Sequence, residues 1–145
     1  RTDVSSIWSR SMVQDEVHAP LLLELCKAHP STVFYGEVYG PVQELRYGLK
    51  EPRFAVFAAL TGFRWWDMGH LYDTLSRYNV HRAPVLYVGE YDRDKIAALA
   101  ETDSEIQSAA GQMKEGVVVT AEPARSSPNF GHAMLKLISN RYWEL

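Results

Sequence analysis

The chain has 145 residues, 46% of them hydrophobic and 23% charged, and a net charge of −3. This suits one globular domain with a core of its own, and it excludes a global basic field for nucleic acid, so a polyanion would have to be met by a local patch. The single cysteine, Cys26, excludes an internal disulfide and a cysteine-built zinc site, and no apolar run approaches the ~20 residues of a membrane-spanning helix. Cys26 lies in an apolar run and reads as a small core residue. With no signal peptide in view, the expected setting is reducing and cytoplasmic.

The chain opens on Arg1-Thr-Asp-Val, polar strand-like sequence without a methionine, so a part of the domain is expected upstream. Val4–Met12 (VSSIWSRSM) has the β-branched and aromatic content of a strand and ends near Ser9-Arg10-Ser11. Ala19–His29 predicts a short helix, with Pro20 in its first turn, a stripe of Leu22, Leu25 and Cys26, and Pro30 as the stop. Thr32–Tyr39 predicts a strand. Within VFYGEVYG, alternation places Glu37 on one face with Val33, Tyr35 and Tyr39, and Phe34 and Val38 on the other. A carboxylate in a buried-looking strand is costly unless something binds it, and Gly36 beside it admits a second chain or a ligand close to the backbone. The stretch reads as the wall of a polar-ligand pocket.

Pro41–Pro52 is a charged loop containing Tyr47-Gly48, and Arg53–Thr61 (RFAVFAALT) is another strand. Phe57 shares a face with Ala55 and Ala59 there, which leaves an open shelf beside its ring. The shelf suits a flat ligand or the close packing of a helix. Asp67 is a candidate N-cap for a helix over Met68–Tyr78, whose apolar residues fall at helical spacing. Trp65-Trp66 is expected to pack beside that helix. Pro84–Glu90 reads as a strand, Asp92–Ala100 and Ser104–Ala110 as short helices, Glu115–Ala121 as a strand, Glu122–Gly131 as a loop and His132–Ile138 as a last strand. His18, His29, His70, His81 and His132 show no metal-ligand spacing and are read as surface or loop residues. Strands and helices mix without a regular βαβ beat, which predicts an α+β fold of mainly antiparallel sheets flanked by helices. No GxGxxG or GxxxxGK motif occurs.

Three strand segments carry an out-of-place charge, Glu37, Glu115 and Lys136, and Arg10 ends the first strand. Two carboxylates and two cations on sheet positions can form one site. The cations would neutralise a phosphate, a carboxylate could hold a hard metal ion bridging to phosphate oxygens, and Phe57 could stack on a base.

The order of these segments resembles the nucleotidyltransferase domain of ATP-dependent RNA ligases, specifically the family of the second bacteriophage-type RNA ligase, from about Val4 to Glu144. FYGEVYG is similar to that family's motif III, RFAVFAAL to motif IIIa, KEGVVV to motif IV and LKLISNRYWE to motif V. The Ser9–Ser11 segment resembles the arginine-bearing strand after the nucleotide-attachment motif. The resemblance implies a ligase-type, ATP-grasp-like nucleotidyltransferase domain over residues 1–145, truncated at its start. It implies ATP with magnesium or manganese as cofactors, and RNA ends, a 5′-phosphate and a 3′-hydroxyl, as partners. It also implies roles: Glu37 on the ribose hydroxyls, Phe57 on adenine, Glu115 at the metal and the transfer step, Lys136 on the AMP phosphate and Arg10 on ribose or phosphate.

Two departures from the family pattern stand out. No KxDG-like motif occurs, since Lys27, Lys50, Lys95, Lys114 and Lys136 all lie in other contexts. Arginine stays protonated, so Arg1 cannot be the nucleophile, and the attacking lysine is expected upstream. The alternatives are a catalytically inactive relative that binds nucleotide or RNA ends, a DNA ligase, against which the YGE form of motif III counts, and an RNA capping-type enzyme. The second departure is Lys136-Leu137-Ile138 in place of Lys-x-Lys, which removes one cation from a shared strand face, with Arg141 as a candidate replacement.

Overall fold

The computed structural model describes residues 19–41, 45–106, 111–129 and 131–145; Arg10 and the strand expected over Val4–Met12 lie outside the described residues. Helix α1 (Ala19–Ala28) buries Leu22, Leu25 and Cys26, the stripe its sequence predicts. Burial pushes the Cys26 thiol pKa up, as for an inert core cysteine. The chain then enters β1 (Thr32–Tyr39), which pairs antiparallel with β2 (Arg53–Thr61). A tight turn leads into β3 (Arg64–Trp65), which completes a three-stranded sheet in the order β1-β2-β3. Helix α2 (Met68–Arg77) lays Leu71, Thr74 and Leu75 against it. The resulting core joins Leu22, Leu25, Phe34, Phe54, Val56 and Leu71, with Trp66 and Tyr78 packed at its margin.

Helix α3 (Arg93–Ala100) starts at Asp92, whose carboxylate accepts from the Asp94 and Lys95 amides at 3.1 and 3.0 Å. Beyond it come β4 (Gly116–Thr120), a small hairpin of β5 (Ser126–Ser127) and β6 (Gly131–His132), then β7 (Met134–Ile138) and the short helix α4 (Asn140–Trp143). Strands β4 and β7 pair antiparallel, as do β5 and β6. The architecture is α+β with antiparallel sheets, as the sequence predicts.

Several expectations fail locally. Residues 84–90 do not form a strand. The chain meets β2 only at Val56, which donates to the His81 carbonyl (3.0 Å) and accepts from the Ala83 amide (3.4 Å). Beyond that contact Val85 and Val88 are exposed, because strand propensity is realised only where a ladder partner exists. Residues 104–106 are not helical: the Ser104 amide donates to the Gln112 carbonyl at 2.8 Å, and Asp103 bridges Met113. Residues 107–110 of that expected helix lie outside the described residues. The last strand is interrupted at Ala133, whose amide turns to the Arg125 carbonyl at 2.8 Å. Asp67 holds the N-cap position of α2 without capping it. Its carboxylate accepts from the Ala124 amide (2.7 Å), and the Glu122 carboxylate takes the Met68 amide (2.9 Å). This exchange ties the start of α2 to the segment between β4 and β5.

His132 is buried rather than a surface or loop histidine. Its ring stacks on Trp65, with centroids 4.2 Å apart and planes within 8°, and its Nδ1 has no hydrogen-bond partner among the described residues. Burial lowers its pKa below the ordinary 6.5. Between those two values the unfolded chain binds the extra proton, so this contribution to stability is complete above pH 6.5 and declines as pH falls below it. Urea unfolding at pH 7.5 and at pH 5.5 should show this acid loss reduced in His132→Phe, which keeps a ring on Trp65 and removes the proton site. Equal loss in both proteins would assign the acid sensitivity elsewhere.

Candidate functional site

One face of the β1–β2 pair supplies Phe34, Val38, Phe54, Val56 and Ala59 to the core. The other carries Tyr35, Glu37 and Tyr39. Glu37 stands opposite Ala55, Tyr35 opposite Ala58 and Gly36 opposite Val56, so Phe57 is the extra residue of a bulge. The bulge sets Phe57 and Ala58 together against Tyr35 and turns Ala59 to the core. The alanines beside the Phe57 ring are therefore Ala55 and Ala58, not Ala55 and Ala59. Phe57 is half-buried and is not part of the core cluster.

Glu37 is exposed, so the premise of a carboxylate in a buried strand is wrong: its face of the sheet is open. Gly36 also has a different reason. A Cβ there would overlap the Phe54 ring and stand 2.5 Å from the Ala55 carbonyl oxygen, so the close approach comes from the neighbouring strand of the same chain.

The second half of the site comes from β4 and β7. Lys136 lies mid-strand opposite Val118, and its ammonium forms an ion pair with the Glu115 carboxylate, which immediately precedes β4. The Glu115 carbonyl accepts from the Ser139 amide at 2.8 Å. At Gly116 a Cβ would overlap the Leu137 carbonyl oxygen and lie 2.8 Å from Ile138 Cα, so the two strands meet without a side chain between them. The hydrogen-bonded Glu115 carboxylate raises the Lys136 pKa; partial burial opposes this, and the charges of Glu115, Glu37 and Tyr142 add to it. The Tyr47 phenol is raised by burial, opposed by a hydrogen bond to the Glu115 backbone and reinforced by the charges of Glu115 and Glu37. Glu37, Tyr47, Glu115, Lys136 and Tyr142 thus share one electrostatic neighbourhood.

The structure therefore gathers Glu37, Glu115 and Lys136, and places Phe57 beside Glu37 on the same sheet face. Arg141 does not take the place of the missing motif V lysine. Its guanidinium donates to Asp103 Oδ1 (2.9 Å) and to the Glu101 carbonyl (3.0 Å), while the Glu101 carboxylate accepts from the Asn140 amide (2.7 Å) and the Ser139 hydroxyl (3.1 Å). The Asn140 amide, helped by Ser139 and Arg141, holds the Glu101 carboxyl below its usual pKa. This network fastens α4 to the end of α3. Ile138 stands opposite Gly116 on the Lys136 side of β7. Lys114 is buried and paired with Glu105 at 2.7 and 2.9 Å, a structural role. Tyr47 and Tyr142 were missed in the sequence because nothing local marks a loop or terminal tyrosine as belonging to a distant carboxylate.

Among the described residues, no three His, Cys, Asp or Glu side chains cluster as a metal cage. Glu115, with Glu37 nearby, suits the other kind of site, in which one or two carboxylates hold a hard cation that also binds phosphate oxygens. No helix among the described residues is long and apolar enough to cross a membrane.

Antiparallel sheets that bring two carboxylates, a lysine and an aromatic shelf to one open region form a scaffold suited to phosphate and nucleotide chemistry. The RNA ligase family model matches residues 3–138, and the chain belongs to that family. Its fold is similar to that of two variants of Naegleria gruberi RNA ligase, each solved with ATP and manganese. For one the TM-score is 0.68 at 19% identity, covering 85% of this chain and 36% of that chain. For the other it is 0.67 at 18% identity, covering 85% and 37%. The chain therefore spans a little over a third of the length of these ligases. At this identity the likeness shows the fold, the nucleotidyltransferase fold of RNA ligases. No curated protein matches.

Proposed function

We propose that this chain is the nucleotidyltransferase part of an ATP-dependent RNA ligase of the cytoplasm. In the reaction of this family a lysine nitrogen attacks the α-phosphate and pyrophosphate leaves. The AMP then passes to the 5′-phosphate of an RNA end, freeing the lysine. A 3′-hydroxyl oxygen attacks that phosphate, its proton is lost, AMP leaves and the strand is sealed. The observation that carries the reading is the convergence of Glu37, Glu115 and Lys136 from three strand segments, beside Phe57.

In this reading Lys136 neutralises the nucleotide phosphate, Glu37 accepts from the ribose hydroxyls, Phe57 stacks on adenine and Glu115 holds magnesium or manganese. Arg10 is assigned to ribose or phosphate by family resemblance alone. The metal supplies charge neutralisation at the phosphate oxygens. The protein's own contribution is positioning and electrostatic stabilisation, which dominate phosphoryl-type transfer. The ATP and manganese of the Naegleria gruberi structures support the choice of cofactors.

The test is incubation of the full-length protein with ATP labelled at the α-phosphate, followed by nicked RNA and nicked DNA. The expected result is an acid-labile protein–AMP adduct and preferential sealing of RNA. No adduct would favour a nucleotide-binding relative without ligase activity, and preference for nicked DNA would favour a DNA ligase. Glu37→Ala should abolish the adduct without unfolding the protein. Phe57→Ala should raise the ATP concentration needed by about 5- to 50-fold, the scale of one lost base–aromatic stack. An ATP titration of adduct formation reads this; a fall in yield at saturating ATP, with a lowered melting temperature, would make Phe57 a packing residue instead.

A further inference from the structure

Residues 121–133, which join β4 to β7, fold back on themselves. The Ala121 amide donates to the Ala133 carbonyl at 3.2 Å and the Ala133 amide to the Arg125 carbonyl at 2.8 Å, and β5 pairs with β6. These bonds continue the ladder of β4 and β7 beyond Thr120 and Met134. His132 and Lys136 therefore belong to one hydrogen-bonded unit, and whatever fixes the first constrains the second. Across from it, Trp65 pairs with Leu60 of β2, and the Trp66 amide donates to the Ala59 carbonyl at 2.9 Å, so this pair of tryptophans is fixed to the first sheet.

These two units meet through a crossed pair of hydrogen bonds and a ring stack. The Met68 amide donates to the Glu122 carboxylate at 2.9 Å and the Ala124 amide to the Asp67 carboxylate at 2.7 Å, so each side supplies one carboxylate and one amide. Hydrogen bonds with an ionised acceptor are the stronger kind. The His132 ring lies flat on Trp65 at 4.2 Å, and Trp65 also meets Tyr35 at 5.3 Å. Tyr35 is on β1, on the face that carries Glu37. Ring contact thus runs from the strand of Glu37, through Trp65, to the unit that holds Lys136.

We propose that Asp67, Glu122, Trp65 and His132 are positioning residues, a clasp that sets the Lys136 strand against the Glu37 strand so that one nucleotide reaches both. This rests on the nucleotide reading above, in which Phe57 and Glu37 hold the nucleoside and Lys136 the phosphate. The nucleoside side belongs to the first sheet, and the phosphate side to the unit of β4 and β7. A ligand that spans both binds at full affinity only when their separation is fixed beforehand, because otherwise binding must order it.

The test is made on the full-length protein with the double variant Asp67→Ala/Glu122→Ala, which removes exposed side chains and should leave the melting temperature nearly unchanged. Spin labels on Arg77→Cys and Leu135→Cys, exposed positions of α2 and β7, read the separation of the two units, the native Cys26 being buried. The double variant should broaden that distance distribution. Calorimetry should show its affinity for ATP with manganese lowered about 5- to 50-fold, short of the roughly 100-fold that a misplacement of about 1 Å can cost, and its affinity for adenosine, which lacks the phosphates, unchanged. His132→Ala should act likewise, whereas His132→Phe, which keeps a ring on Trp65, should retain ATP affinity. An unchanged distance distribution or an unchanged ATP affinity in the double variant overturns the clasp, as does an equal loss of ATP and adenosine. If the unsubstituted protein binds no ATP, the nucleotide reading falls and the positioning role with it.

Discussion

Lys136→Ala should weaken ATP binding by about 10- to 100-fold while leaving the melting temperature nearly unmoved, since a charge-assisted hydrogen bond to phosphate is worth about 1.5–3 kcal/mol. The asymmetry follows from where Lys136 sits. Its side chain is 51% exposed and its partner Glu115 29% exposed. An ion pair so open to water contributes about 0–1 kcal/mol to folding, because water competes for both groups and two long side chains lose freedom. Opposite Lys136 on β4 is Val118, itself 54% exposed, so the lysine props up no buried layer. Under the proposed function its value lies in its positive charge, held beside the Glu115 carboxylate and within the influence of Glu37. Lys136→Arg should recover part of the affinity, since the charge returns with a different reach. Ile138→Lys should tighten ATP binding by restoring a second cation to that strand face. Calorimetry for ATP and a thermal melt decide the matter together: if Lys136→Ala lowers both in proportion, the lysine is a structural residue and the phosphate role falls.

Gly116→Ala should destabilise the protein by about 2–3 kcal/mol, near the upper end for overpacking, because the obstacle is backbone rather than a side chain that can turn away. A methyl at this position would overlap the Leu137 carbonyl and press on Ile138 Cα. Strand β7 would have to move off the head of β4, taking Lys136 away from Glu115. Loss of ATP affinity should therefore accompany the loss of stability, which separates this variant from Lys136→Ala. Gly69 supplies the control. It lies in α2 with open space where a Cβ would go, so Gly69→Ala should raise stability by about 0.5–1 kcal/mol. Urea unfolding of the two variants gives opposite signs if packing at Gly116 is as tight as described; a neutral Gly116→Ala would show that the strands yield.

The elements read best in the sequence were those specified by near neighbours. Strands β1 and β2 fall at the bounds that alternation predicts, and α1 buries the stripe spaced along it. The misses share a cause. Residues 84–90 have the composition of a strand, but pairing depends on whether a free edge lies beside them. Alternation along β2 is strictly local, so it could not place a bulge at Phe57, which depends on register with β1. Asp67 has the right residue type for a cap, yet Glu122, 54 positions beyond Met68, satisfies the Met68 amide. His132 carried no local sign that Trp65 would cover it.

The candidate site divides in the same way. Residue type and order along the chain were enough to single out Glu37, Phe57, Glu115 and Lys136, because charges in strand sequence are visible wherever the strands end up. Their assembly was not visible. Whether Glu37 and Lys136 sense each other depends on how two separate sheets are packed, with the flush contact at Gly116 and the Glu101 network that holds α4 fixing the second of them. These are contacts between residues distant along the chain, formed only when the chain closes on itself. Local pattern decides which face a side chain takes; what that face meets is decided by packing.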